Sequence, residues 1–261
     1  MNIRYQNPGF DHSIDSILLF QTEAQPPFWS DSLMFFYPQI QKEELIRRNA
    51  DGKRQYLTEV LSGVYHGLQE ELERKVITYN DHFSAHRAQI EDALSDTFNL
   101  DSRLLFNDLN ANITLNPVCP RFLKERCFDV FYKNSELGAL GTSLHEVIHY
   151  FWFHVWNAHF GDSYDEYETP SLKWILSEMV VESMMQDHRL SSINPYYPRE
   201  NGGCVYPYFQ DMIVDGRLIL DTMDDMYRSN KITDFMEHAY HYCQKHENMI
   251  RSHIEKSEKT F

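Results

Sequence analysis

The sequence predicts an α+β fold, mostly helical, with a small sheet between two helical stretches. Three observations lead there. Apolar residues recur at helical spacing from Gln55 to about Phe98, short β-prone runs fill residues 104–132, and the helical period returns after Asn134 and Ser135.

Taken in order, residues 1–38 mix Pro8, Pro26, Pro27 and Pro38 with Phe28, Trp29, Phe35 and Phe36, which reads as an irregular segment packed on a core. Leu57, Val60, Leu61, Val64, Leu68, Leu72, Val76, Tyr79, Phe83, Ile90 and Leu94 then describe one long helix or a helical hairpin. Leu104-Leu105-Phe106, Ile113-Thr114-Leu115 and Phe128 to Tyr132 read as strands. Leu137, Leu140, Leu144, Ile148, Phe151 and Val155 form one helical stripe, followed by an acidic loop, Asp162 to Glu168. Thr169-Pro170 reads as a helix start, since Thr can cap and Pro fits the first turn, and that helix runs to about Arg189. Residues 191–207 form a long connection and the lobe boundary, with helices expected around 208–228 and 232–256. The expected organisation is therefore residues 1–190 and a helical C-terminal lobe, 191–261, forming a single compact unit.

Composition excludes several classes of function. With 42% hydrophobic and 14% aromatic residues the chain has ample material for a core. A net charge of −15 repels a phosphate backbone and argues against a nucleic-acid partner. Most of those carboxylates are read as solvated helix faces. The polar start, Met1 to Asp15, does not resemble a secretory leader, and no apolar run of about 18 residues spans a membrane, so a cytoplasmic protein is expected. Cys119, Cys127, Cys204 and Cys243 form no Cys-x-x-Cys pair and are read as free thiols without assigned chemistry.

The chemistry lies in His145-Glu146-Val147-Ile148-His149. Residues four apart lie one turn above each other on a helix, so both imidazoles can address one ion. Glu146, about 100° further round, stands beside the ion and can serve as base for a metal-bound water. A chain of this composition would show the pattern by accident about 0.06 times, so chance explains it poorly. Zinc is the expected cofactor. Its third ligand is sought in Trp174 to Glu182, where Glu178 and Glu182 are one turn apart among apolar neighbours. One can bind metal while the other hydrogen-bonds a ligand histidine.

The strand, the His-Glu-x-x-His helix and Leu176-Ser177-Glu178 on the next helix resemble the gluzincin metallopeptidases, the thermolysin-like and aminopeptidase-like group, over about residues 128–189. The resemblance implies a zincin-like small sheet, zinc held by His145, His149 and Glu178, Glu146 as catalytic base, and Glu182 as an acid supporting the ligands. It also implies a peptide or protein substrate. The interval between His149 and Glu178 is longer than the family's usual one, and the loop Asn157 to Glu168 accommodates the excess. That leaves Glu182 open as the ligand, with Asp162, Asp165 and His159 behind it. The metzincin continuation is absent, since Trp152 and Val155 stand where its Gly and third His would be. No Gly-Ala-Met-Glu-Asn-like exopeptidase motif precedes the helix, so endopeptidase and exopeptidase both stay open.

A hydrolase also needs a donor for the developing oxyanion. Tyr206 and Tyr208, or His238 and His241 on the last helix, are the candidates by chain order. Trp152 and Trp156 are read as core walls. An edge strand could hold an extended peptide by strand addition. The competing reading is a non-catalytic zinc-containing binding or regulatory protein on the same scaffold.

Overall fold

The computed structural model describes residues 1–22, 25, 27–162, 167–195 and 203–259. Helix dominates, with one four-stranded mixed sheet and one two-stranded hairpin, which is the α+β character expected. Two compact units are present. One comprises Asn2–Ala85 and Asn107–Ser143. The other comprises Met1, His86–Phe106 and the chain from Leu144 onward.

The first unit holds the sheet, built from β1 (Ile3–Gln6), β2 (Leu109–Thr114), β3 (Arg121–Phe122) and β4 (Cys127–Phe131) in the order β1-β2-β4-β3. β1, β2 and β4 run parallel, and β3 pairs antiparallel with β4. Leu109, Ala111 and Ile113 are fully buried on one face of β2, while Asn112 and Thr114 are buried on the other. The buried polar face carries a cross-strand row. Gln6, Asn112 and Asp129 are register neighbours, joined by Gln6 Nε2 to Asn112 Oδ1 at 2.9 Å and Asn112 Nδ2 to Asp129 Oδ1 at 3.3 Å. From α1 (Phe10–Leu18), His12 Nε2 meets Asp129 Oδ1 at 2.8 Å.

Around the sheet lie α2 (Pro27–Phe36), α3 (Lys42–Ile46), α4 (Ala50–Gly67) and the first half of α5 (Gln69–Phe98). Asn49 caps α4 by accepting from Gly52 N. The periodic stretch to Phe98 is two helices, parted at Leu68, whose φ of −101° and ψ of 1° leave the helical range just after Gly67. On the open side of β1, Tyr5 N donates to Asn80 Oδ1 at 3.1 Å, and Asn80 Nδ2 donates to Tyr5 O at 2.9 Å.

Two expectations for this half of the chain are corrected. Residues 1–38 contain β1, α1 and α2 rather than an irregular segment: Ile3 and Tyr5 alternate into the core, and Ile14 and Ile17 are buried at helical spacing. Leu104-Leu105-Phe106 is no strand. A 3-10 turn, Ser102–Leu104, leaves Leu104 76% exposed, and Phe106 has a left-handed φ of 52° that no ladder accommodates.

The second unit is helical. It holds α6 (Glu136–Phe160) from Leu144 onward, α7 (Leu172–Gln186), α8 (His188–Ser191), α9 (Pro207–Gln210), the β5–β6 hairpin (Ile213–Val214 and Arg217–Leu218), α10 (Ile219–Ser229) and α11 (Ile232–Glu258). α7 is central: every residue from Ile175 to Met185 is buried, and α10 and α11 pack on it. A helix buried all round has no solvated stripe on which to carry charge.

Here too the expected boundaries shift. Ser171, not Thr169, caps α7, its hydroxyl accepting from Trp174 N at 3.1 Å, so the helix starts at Leu172. It stops at Gln186 instead of Arg189, because Asp187 turns out of helix and caps α8 through Arg189 N. Residues 208–228 are not one helix, since Asp215 and Gly216, with φ of 51° and 77°, make the tight turn of the β5–β6 hairpin. The helix expected over 232–256 is α11. Within the connection read as 191–207, residues 196–202 lie outside the described residues. Among those described, no helix is long and apolar enough to cross a membrane, and the four cysteines are free thiols.

Candidate metal centre

Helix α6 starts at the cap residue Ser135, whose hydroxyl accepts from Gly138 N at 3.1 Å. Ten residues on, it presents His145 and His149 one above the other. Their Nε2 atoms stand 3.1 Å apart and their ring centroids 4.9 Å. His149 has no exposed side-chain surface, and its ring lies over Phe153 at 6.2 Å, which in turn stacks on Tyr167 at 4.4 Å. An imidazole packed this way has its direction fixed before any ligand arrives.

Glu178 reaches the same point from α7. Its Oε2 is 3.7 Å from His145 Nε2, and its other oxygen, Oε1, is 3.5 Å from His149 Nε2. The two helices are tied near their facing ends by Asp162, which accepts from Trp156 Nε1 at 2.5 Å and pairs with Lys173 Nζ at 2.6 Å. Glu146 is buried, with Oε1 4.0 Å from His145 Nε2. The ligating atoms of His145, Glu146 and His149 all lie within 4.8 Å of one another.

These separations fit a metal ion. Donors about 2.0–2.1 Å from a tetrahedral zinc stand about 3.3 Å from each other. The distances of 3.1, 3.5 and 3.7 Å among the two imidazoles and the Glu178 carboxylate lie around that value. The field has the right sign. Burial disfavours a charged His145, yet the neighbouring Cys204 and Glu178 and the charges of Glu146 and Glu178 outweigh burial and raise its pKa to about 10. A pocket that holds a proton so firmly favours positive charge at that spot.

The remaining expected residues divide. Glu182 is 2% exposed, one turn beyond Glu178 on α7. Tyr206 is half-buried, with its ring 5.5 Å from Trp174 and stacked on Tyr208 at 5.2 Å. Tyr208 is buried rather than facing solvent. Burial, and then the neighbouring Tyr206 and Glu178, push its hydroxyl far above the usual tyrosine range. His238 and His241 are exposed on α11. His159 is engaged by Glu237 at 2.7 Å and Asp162 by Trp156 and Lys173. Asp165 lies outside the described residues. Trp152 and Trp156 are core residues, as read from their spacing.

Sequence reasoning gave Cys204 no chemistry, but it is one of the neighbours that favour a protonated His145. No local spacing could have signalled a contact between a loop and a helix so far apart in the chain. Compared with protein-family models, curated proteins and solved structures, the chain matches none.

Proposed function

We propose that the chain is a zinc-dependent hydrolase acting on peptides, with His145, His149 and Glu178 as the metal ligands and a gluzincin-like arrangement of α6 and α7. The observation that carries this reading is the convergence of Glu178, from a helix buried on every side, with both imidazoles of the His-Glu-x-x-His turn. A buried carboxylate facing two imidazoles is stabilised by positive charge set among them, which zinc would supply.

Zinc, when bound, supplies Lewis-acid polarisation of a carbonyl and acidifies water at neutral pH. The chain's own residues do the rest. The Glu146 carboxylate accepts a proton from the attacking water at its oxygen, holds it in a site largely closed to solvent, and returns it to the leaving amine. Glu182, buried one turn beyond Glu178, supports the ligand set from behind. Tyr206, half-buried beside Trp174, is the better of the two tyrosines to donate to a developing oxyanion, since Tyr208 is enclosed. A peptide substrate follows from the resemblance of the two helices to metallopeptidases, and the acidic surface agrees with a partner other than nucleic acid.

Purified protein should hold one equivalent of zinc by elemental analysis and cleave an unstructured peptide mixture. Glu146→Gln should keep the zinc and lose about 10²–10⁴-fold in kcat. Full activity in that variant rejects the mechanism, and absence of zinc rejects the centre.

A further inference from the structure

We infer that His12, Asn112 and Asp129 form a second cation site, on the polar face of the sheet, which takes up a divalent ion of the manganese(II) kind. The three residues lie in the sheet-bearing unit, and the inference does not depend on the metal centre proposed for α6 and α7.

Three elements deliver the donors: α1 brings His12, β2 brings Asn112 and β4 brings Asp129. His12 Nε2 stands 2.8 Å from Asp129 Oδ1, and the Asn112 amide stands 3.3 Å from that oxygen and 3.5 Å from the imidazole nitrogen. Donors about 2.1 Å from an octahedral ion stand about 3.0 Å apart in neighbouring positions. The three separations lie around that value. Asn112 turns Nδ2 towards the other two, and a half-turn of its amide puts Oδ1 there instead. Gln6 can follow that turn, its own Oε1 accepting from Asn112 where its Nε2 now donates at 2.9 Å. One imidazole with a carboxylate and an amide carbonyl is a mainly oxygen donor set, which suits manganese better than metals that seek sulfur.

The carboxylate itself favours a cation. Asp129 has no exposed side-chain surface, yet its two oxygens are served unequally. Oδ1 takes the bonds from His12 and Asn112, while Oδ2, equally buried, has no hydrogen-bond partner among the described residues. Leaving a buried carboxylate oxygen unpaired is costly, and a metal ion can engage one oxygen of such a group or both. The His12 side chain keeps 30% of its surface exposed, so an ion can enter from solvent and waters can complete its shell. On binding, the imidazole lone pair goes to the metal and the proton shared with Asp129 leaves to solvent. The ion then ties α1 to β2 and β4.

The test uses the full chain, stripped with chelator and then given one equivalent of zinc to fill the centre on α6. Manganese(II) is titrated in while the six-line electron paramagnetic resonance signal of the free ion is followed. The wild type should silence the signal of one equivalent, and its thermal midpoint should rise with added manganese. Asp129→Asn should lose both effects. Asn112→Asp, which supplies a charged oxygen without any turn of an amide, should bind manganese about tenfold more tightly or better, a gain that can be read whatever the folding of the first variant. No uptake by the wild type overturns the proposal, as does binding that Asn112→Asp fails to tighten. Uptake that persists in Asp129→Asn and disappears in His149→Ala puts manganese on α6 and overturns it as well. Zinc lost on dialysis, with manganese uptake still abolished by Asp129→Asn, rejects the centre on α6 and supports this site.

Discussion

Oε1 of Glu178 stands 3.5 Å from Nε2 of His149, a contact between successive helices in which both side chains are buried. This pairing is why Glu178, rather than Glu182, is the proposed metal ligand of α7. Glu178→Ala should lose bound zinc after dialysis, while Glu182→Ala should keep a full equivalent with affinity weakened about 10–100-fold in a chelator competition. The reverse pattern would make Glu182 the ligand.

Asp187 gives a pH-dependent stability. Its carboxylate accepts from Arg189 N, Nε and Nη2 at 2.9, 2.8 and 2.8 Å and from the Tyr227 hydroxyl at 3.2 Å. Burial opposes ionisation, but these bonds and the Arg189 charge hold the pKa at about 2. A depressed carboxylate stabilises the fold above its unfolded pKa, and the contribution fades as pH falls through the folded one. We expect Asp187→Asn to cost about 1–2 kcal/mol at neutral pH, allowing for solvent screening, with the difference vanishing near pH 2. Urea midpoints of both proteins across that range measure it.

The His12–Asp129 pair works in the opposite direction. The hydrogen bond to Asp129 raises the His12 pKa, burial opposes it, and the Asp129 charge adds to the rise. A raised histidine contributes stability fully present below its unfolded pKa of 6.5 and lost as pH climbs through the folded value. His12→Ala should therefore destabilise the protein more at about pH 5.5 than at about pH 9. Denaturant unfolding at the two pH values checks this, and equal losses would show that the pair carries no charge-linked stability.

Trp152 tests the helical core. It is fully buried, with ring centroids 6.0 Å from Trp156 and 5.7 Å from Phe235. Trp152→Ala should cost about 3–5 kcal/mol and Trp152→Phe clearly less. A loss under about 1 kcal/mol for the alanine variant, read from denaturant midpoints, would mean that the rings do not pack as described.

Much of the candidate centre was legible because its signals are local. His145 and His149 announce themselves through a one-turn spacing, and Glu178 through a carboxylate set among Ile175, Leu176, Met179 and Val180. What brings Glu178 to the histidines is the packing of α7 on α6, which no spacing encodes. Cys204 was invisible for the same reason. β1 escaped because four residues carry too little alternation to stand out between prolines, and its partner Leu109–Thr114 lies a hundred residues away. The stretch 208–228 failed differently. Apolar spacing there imitates a helix, and the Asp215-Gly216 dipeptide, a strong hairpin signal, was outweighed by it.

The reciprocal bonds between Asn80 and the backbone of Tyr5 have a consequence for assembly. An amide side chain presents one donor and one acceptor with the spacing of a neighbouring peptide group, so Asn80 stands in for the next strand at the outer rim of β1. The rim is thereby satisfied in mid-strand, where a second chain would otherwise begin to zip on. Stripped of that amide, as in Asn80→Leu, the sheet would offer an unfilled ladder rung, and intermolecular strand pairing would follow at high concentration.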